Sequence, residues 1–187
     1  MGFTKAELAS FQDVEVPDLL ADELRLLFVG INPGLWTAAV QAHFARPGNR
    51  FYPALLRAGI LTEPMAPSTG MSEREAEHLR ARGLGITNLV RRATAGAAEL
   101  TAAELREGGD RLRELVRVRR PRVVAVAGIT AYRHAFGHPK ARPGRQDEPF
   151  EGSELWVVPN PSGLNAHETV ASLAAAYAEP ARAAGVI

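Results

Sequence analysis

Four apolar runs stand out from the polar background of the chain. Leu24–Ile31 (LRLLFVGI) nearly ends on Gly30, and Gly85–Val90 (GITNLV) is shorter. Arg122–Ala127 (RVVAVA) lies between Pro121 and Gly128, and Glu154–Val158 (ELWVV) stops at Pro159. Apolar runs of about four to eight residues between turn formers predict strands covered on both faces, the habit of a parallel sheet. Stretches with helical spacing lie between them. Asn49–Ala58 places Phe51, Leu55 and Leu56 at helical spacing, with Asn49 as N-cap and Pro53 in the first turn, where proline is tolerated. Ser72–Ala81 and Thr101–Arg119 each open with a capping box, Ser72 with Glu75 and Thr101 with Glu104. The longer of the two aligns Leu105, Leu112, Leu115 and Val116, and Thr130–Phe136 and Ala166–Ala178 complete the helices. Strands alternating with helices predict an α/β fold around a parallel sheet. Two Pro/Gly-rich loops, Leu61–Met71 and Gly137–Gly152, interrupt the pattern, and the second carries Lys140, Arg142 and Arg145.

The 187 residues fit a single domain, 1–187. With 22 basic against 21 acidic residues the net charge is +1, so a general polycationic coat is excluded and any nucleic-acid contact must come from a local patch. Cysteine is absent, which excludes disulfide frameworks, thiolate zinc sites, iron–sulfur clusters, cysteine nucleophiles and the zinc nucleobase deaminases. The opening residues lack a basic start followed by an apolar core, and no apolar run approaches the roughly 18 residues of a membrane span. A soluble cytoplasmic protein that does not engage membranes is expected. His43, His78, His134, His138 and His167 form no metal-binding pair and read as surface residues.

Ligands of open α/β sheets bind beyond the carboxyl ends of the strands. The first strand exits into Gly30-Ile31-Asn32-Pro33-Gly34-Leu35 and the last into Pro159-Asn160-Pro161-Ser162-Gly163-Leu164-Asn165. Each joins Asn-Pro to a nearby glycine, so two stiff turns with amide side chains face one crevice.

These loops, with Phe44-Ala45-Arg46-Pro47-Gly48-Asn49-Arg50-Phe51-Tyr52 and GITNLV between them, resemble the mismatch-specific uracil/thymine DNA glycosylases. The resemblance runs from about Leu26 to Tyr177, leaving residues 1–22 as an N-terminal extension outside it. It implies a three-layer α/β/α sandwich with a mostly parallel four-stranded sheet. It implies hydrolysis of the N-glycosidic bond of uracil, and of ethenocytosine, opposite guanine in double-stranded DNA, leaving an abasic site. No metal or cofactor is implied, and a monomer acting at the nucleoid is expected.

The resemblance assigns Asn32 to placing the attacking water; an amide is a poor base, so it orients water rather than deprotonating it. It lines the base pocket with Gly30, Ile31, Pro33, Gly34, Thr37, Phe44 and Asn88, Phe44 stacking on the base and Thr37 crowding thymine's methyl. Leu164 matches a wedge that fills the vacated stack, with Gly163 and Asn165 offering backbone groups to the widowed guanine. Asn160 stands where more active relatives carry a histidine, and Ser162 binds a phosphate or caps the turn. Arg46, Arg50, Arg91, Arg92 and His167 are candidate phosphate contacts. The Arg111–Arg122 run is denser and reads as a solvated helix face pairing with Glu107 and Glu114.

Two departures from the pattern stand out. Ala166 and His167 follow the wedge where relatives have an arginine or another polar group. Ala93 replaces a Pro or Thr, and no acidic residue lies between Gly85 and Ala98, which marks Ala93 as an altered site position. A non-catalytic nucleic-acid-binding module of the same fold is the competing reading. An unrelated nucleotide-binding enzyme is disfavoured by the absence of GxxxxGK[ST], and of GxGxxG after the first strand.

Overall fold

A computed structural model describes residues 2–187. The apolar runs become β1 (Leu26–Gly30), β2 (Leu84–Asn88), β3 (Val123–Ala127) and β5 (Glu154–Val158). All four pair in parallel, in the order β2-β1-β3-β5. Side chains alternate across the pleat: Leu26 and Phe28 enter one core, Leu27 and Val29 the other. On the first face lie α3 (Phe51–Arg57), α4 (Glu73–Ala81) and α7 (Val170–Ala183), on the second α5 (Ala102–Arg119) and α6 (Ile129–Phe136). The fold is therefore the expected three-layer α/β/α sandwich.

The sheet has five strands rather than four. The fifth, β4 (Gly144–Arg145), runs antiparallel on the outer edge of β5. Two residues without an apolar side chain carry no periodic signal. The strand is fixed by its surroundings instead: Arg145 pairs with Glu154 at 3.1 Å, and the Gln146 amide donates to the carbonyls of Arg142 and Gly144.

Two short helices, α1 (Lys5–Ala9) and α2 (Leu35–Val40), lie outside the elements that the apolar pattern predicts. The boxes at Ser72 and Thr101 form as expected. At α3 the capping position is Arg50, and Asn49 supports the turn by accepting from the Phe51 N–H at 2.9 Å. Helix α7 begins four residues later than its apolar pattern suggests, because Asn165 and Thr169 divert the chain before a Thr169–Ser172 capping box starts the helix.

Residues 13–19 cover the free edge of β2. Leu19 and Ile86 exchange backbone hydrogen bonds of 3.0 and 2.7 Å, while Asp13 and Val14 bond to Ala93. An edge strand is thereby closed to further pairing. From β1 the chain crosses to β2 on one side and later returns to β3 on the other. Strands β1 and β3 thus frame the switch point where α/β sheets open a crevice.

Candidate active site

The crevice holds a cavity of about 170 Å³ walled by Gly30, Ile31, Asn32, Pro33, Gly34, Thr37, His43, Phe44, Asn88, Thr94, Asn160, Ser162 and Leu164, with Arg46 at its edge. All eight residues assigned to water placement and the base pocket are in this wall. Among the described residues the lining contains no carboxylate, and no three His, Asp or Glu side chains anywhere gather so as to hold a metal ion.

The first loop is stitched along its length to the segment after β2. Leu89, Val90 and Thr94 donate their N–H groups to the carbonyls of Gly30, Ile31 and Pro33 at 2.9, 2.9 and 3.1 Å. The Asn32 amide nitrogen closes the seam, donating to Thr94 Oγ1 at 2.8 Å and to the carbonyls of Pro33 and Arg92 at 3.1 and 3.2 Å. Thr94 in turn donates to the Gly96 carbonyl at 2.9 Å, so its hydroxyl can only accept from Asn32. The amide is thus held in one orientation, and its Oδ1, which meets no donor among the described residues, is the acceptor offered to the cavity. Thr94 is buried, and a hydroxyl two residues past an arginine pair carries no sequence signal until the loops meet.

Arg92, read as a phosphate contact, supports this seam instead. It bonds Glu104 at 2.6 Å and Asp13 at 2.9 Å, and the Arg92 guanidinium, with the N–H and hydroxyl of Thr101, holds the Glu104 carboxyl down to about 2. Arg91 faces Glu15 at 3.7 Å. Ala93 does not line the cavity; its side chain is fully buried against Val16 and Ala38, so a carboxylate there would enter an apolar cluster.

The last loop is built with the opposite amide orientation. Asn160 Oδ1 accepts from the Ser162 N–H at 2.9 Å, and its Nδ2 donates to no group among the described residues. Ser162 caps the turn, accepting from the Leu164 N–H at 3.2 Å, and Asn165 Nδ2 donates to the Asn160 carbonyl. Leu164 projects from the tip and is 78% exposed.

Arg50, also read as a phosphate contact, clamps this loop. Its guanidinium donates to the carbonyls of Gly163 (3.0 Å), Asn165 (3.1 Å) and Glu168, and its backbone N–H donates to Pro161. Gly163 lies against the Gly48 backbone, where a Cβ would meet the carbonyl oxygen at 2.7 Å. Of the five candidate phosphate contacts, Arg46 and His167 alone are exposed and make no ion pair among the described residues.

Phe44 adopts a positive φ of 55°, uncommon for a residue with a side chain, and stacks on Phe51 at a centroid distance of 4.1 Å while bordering the cavity. His43 corrects the surface reading: it is 4% exposed, and burial lowers its pKa below the usual histidine value, so it is neutral at pH 7. Alanine and phenylalanine neighbours hid this, since nothing local marks a histidine as buried. The basic run of α5 is likewise consumed internally. Arg111 donates to the carbonyls of Asn88 and Leu89, Arg113 and Arg117 bind Glu151, and Arg117 also meets Glu114.

A family model described as the uracil DNA glycosylase superfamily matches residues 17–180. Among solved structures, the chain is similar to a solution NMR structure from Methanosarcina acetivorans, provisionally assigned as a uracil DNA glycosylase. The TM-score is 0.56 at 16% identity, over 90% of this chain and 98% of that one.

Proposed function

The chain belongs to the uracil DNA glycosylase superfamily, whose members are N-glycosyl hydrolases that act on DNA; from that premise we propose that it releases uracil from G-mismatched duplexes. One observation carries the reading: two asparagines face one cavity with opposed amides, Asn32 offering oxygen and Asn160 nitrogen. Cleavage of a glycosidic bond leaves an electron-deficient sugar carbon and an electron-rich base. Asn32 Oδ1 accepts a hydrogen from water and aims its lone pair at the sugar. Asn160 Nδ2 donates to the carbonyl oxygen on which the departing base gathers charge. Without a carboxylate base the rate rests on placement, so turnover is modest. Ethenocytosine, planar and neutral, fits the same scheme.

Access requires the base to leave the duplex, at a cost of a few kcal/mol that is lower for a mispair. Leu164 fills the gap, held out by a loop that cannot collapse while Arg50 grips it. The Gly163 and Asn165 carbonyls each keep a second lone pair for the N–H donors of the orphaned guanine. Thr37, buried on the wall, crowds a methyl on the base and favours uracil over thymine. We place the protein in the cytoplasm at the nucleoid, acting as a monomer.

The test is a labelled duplex with one G:U pair, incubated with protein and then treated with alkali. Strand cleavage that disappears in Asn32→Ala is expected. Binding of the duplex by the wild type without cleavage would favour a non-catalytic module.

A further inference from the structure

A second cavity, of about 370 Å³, opens between the end of α6, the middle of α5 and the loops on either side of β4. It shares no wall residue with the crevice. Its floor is aromatic. Tyr132 meets Phe136 at a centroid distance of 5.1 Å, Phe136 meets Phe150 edge-on at 5.2 Å, and His138 lies nearly parallel to Tyr132 at 6.1 Å. The Arg113 guanidinium lies over this floor, 4.9 Å from the centre of the Phe150 ring and 5.6 Å from that of Phe136.

The arginine is fixed in place. Glu151 binds it at 3.2 Å from a tight turn in which Phe150 and Ser153 exchange backbone hydrogen bonds. Glu151 holds a φ of 52° there, a conformation that disfavours any residue with a side chain, and so aims its carboxylate at Arg113 and Arg117. The grip uses one nitrogen of Arg113; Nε and Nη2 meet no acceptor among the described residues. Two more groups in the wall are left open. Tyr132 is 3% exposed, yet its hydroxyl has no hydrogen-bond partner among the described residues, where a buried phenol ordinarily finds one. Burial raises its pKa, so the hydroxyl keeps its proton and can donate. Gln146 Nε2 donates to the carbonyls of Arg142 and Gly144 at 2.8 Å each, which fixes the amide and leaves Oε1 as the acceptor.

Fixed donors and a fixed acceptor around an aromatic floor suit a flat ring that carries a carbonyl beside an N–H. Guanine is such a ring, and its O6 and N7 match the open edge of a guanidinium. At 370 Å³ against 170 Å³ in the crevice, the cavity has room for a sugar as well as a base. At its mouth Lys140 is exposed and makes no ion pair among the described residues, as a phosphate requires. Asp147 and Glu148, on the loop after β4, are exposed and likewise unpaired there, and carboxylates accept from sugar hydroxyls. We propose that this cavity binds a guanine mononucleotide, with its base on the floor of Tyr132, Phe136 and Phe150 against Arg113 and Gln146, and its phosphate at Lys140. The inference does not rest on the glycosylase reading.

The full-length wild type is titrated by calorimetry with guanosine 5′-monophosphate, adenosine 5′-monophosphate and inorganic phosphate. The guanine nucleotide should bind with a Kd below about 1 mM, and about 10-fold or more tighter than the adenine nucleotide, whose ring offers no carbonyl to Arg113. Phosphate alone should not displace it. In ¹H–¹⁵N spectra of the wild type, the guanine nucleotide should shift amides of residues 132–150 and spare those of 30–34 and 160–165. Tyr132→Phe, which removes only the hydroxyl, should weaken binding about 5-fold. Lys140→Ala should weaken the nucleotide but not guanosine. No binding in the millimolar range, equal binding of the two nucleotides, displacement by phosphate, shifts centred on the crevice, or an affinity unmoved by Tyr132→Phe each overturns the proposal. No arm of the test uses DNA, so its outcome is read separately from uracil release.

Discussion

The loops after β1 and β5 share an Asn-Pro turn and a nearby glycine, yet the protein treats them in opposite ways. The first is sutured to its neighbour by three backbone hydrogen bonds and the Asn32 amide, and it turns inward the amide oxygen to which the proposed function assigns the water. The second is held from outside by one guanidinium, and it turns outward the leucine to which the proposed function assigns the wedge. Chemistry needs an atom fixed to a few tenths of an ångström, so its loop is bonded along its whole length. Prying apart a stack needs reach and stiffness, so that loop is braced at its base and left bare at the tip.

The sharpest challenge to this contrast is at Asn32. Asn32→Ala should lower uracil release by about 100-fold or more on duplex and single-stranded substrate alike, as removal of one positioned group does in other sites. Asn32→Asp should not recover the rate at neutral pH, because its second oxygen would face the carbonyl oxygens of Pro33 and Arg92 at 3.1 and 3.2 Å. A duplex-only loss in Asn32→Ala, read in single-turnover assays, would collapse the distinction between the loops. Leu164→Ala should cost about 10-fold on duplex and little on single strands, since an extruded base needs no wedge. Equal losses on both substrates would remove the wedge assignment.

Arg50→Ala should follow Leu164→Ala on duplex with a slightly smaller loss, and should speed amide hydrogen exchange across residues 162–168. Unchanged exchange would show that the loop stands without its clamp. The smallest effect concerns the suture. The Glu104 carboxyl is held at about 2 against an ordinary value near 4.5, so its contribution to stability is complete above about pH 4.5 and fades as pH falls toward 2. Glu104→Gln should flatten that part of the pH–stability curve measured by denaturant unfolding, while leaving Leu164 function intact.

Much of this was legible in the residues. The four long strands and the capped helices were readable because burial on both faces and capping boxes are local signals. The gathering of the pocket residues was readable through the order of the motifs. What escaped was what depends on partners distant in sequence. Arg50 and Arg92 look like phosphate ligands until carbonyls of the last loop and the Glu104 and Asp13 carboxylates claim them. His43 looks exposed until Pro17 and Asn88 enclose it, and Thr94 has no meaning before Asn32 arrives. β4 is two residues long and exists because β5 offers an edge.

Under the proposed function, the internal use of the arginines bears on how a rare lesion would be found. A protein that holds few free cations to DNA releases few counterions, so its grip on undamaged sequence is weak and its stays there are brief. Search then proceeds by many short collisions rather than long one-dimensional slides. On that reading, the time spent at any site would be set by whether a base yields to the leucine, not by charge. A slope of about two in the logarithm of affinity against the logarithm of salt, falling by about one in Arg46→Ala, is the signature of such a lightly tethered searcher.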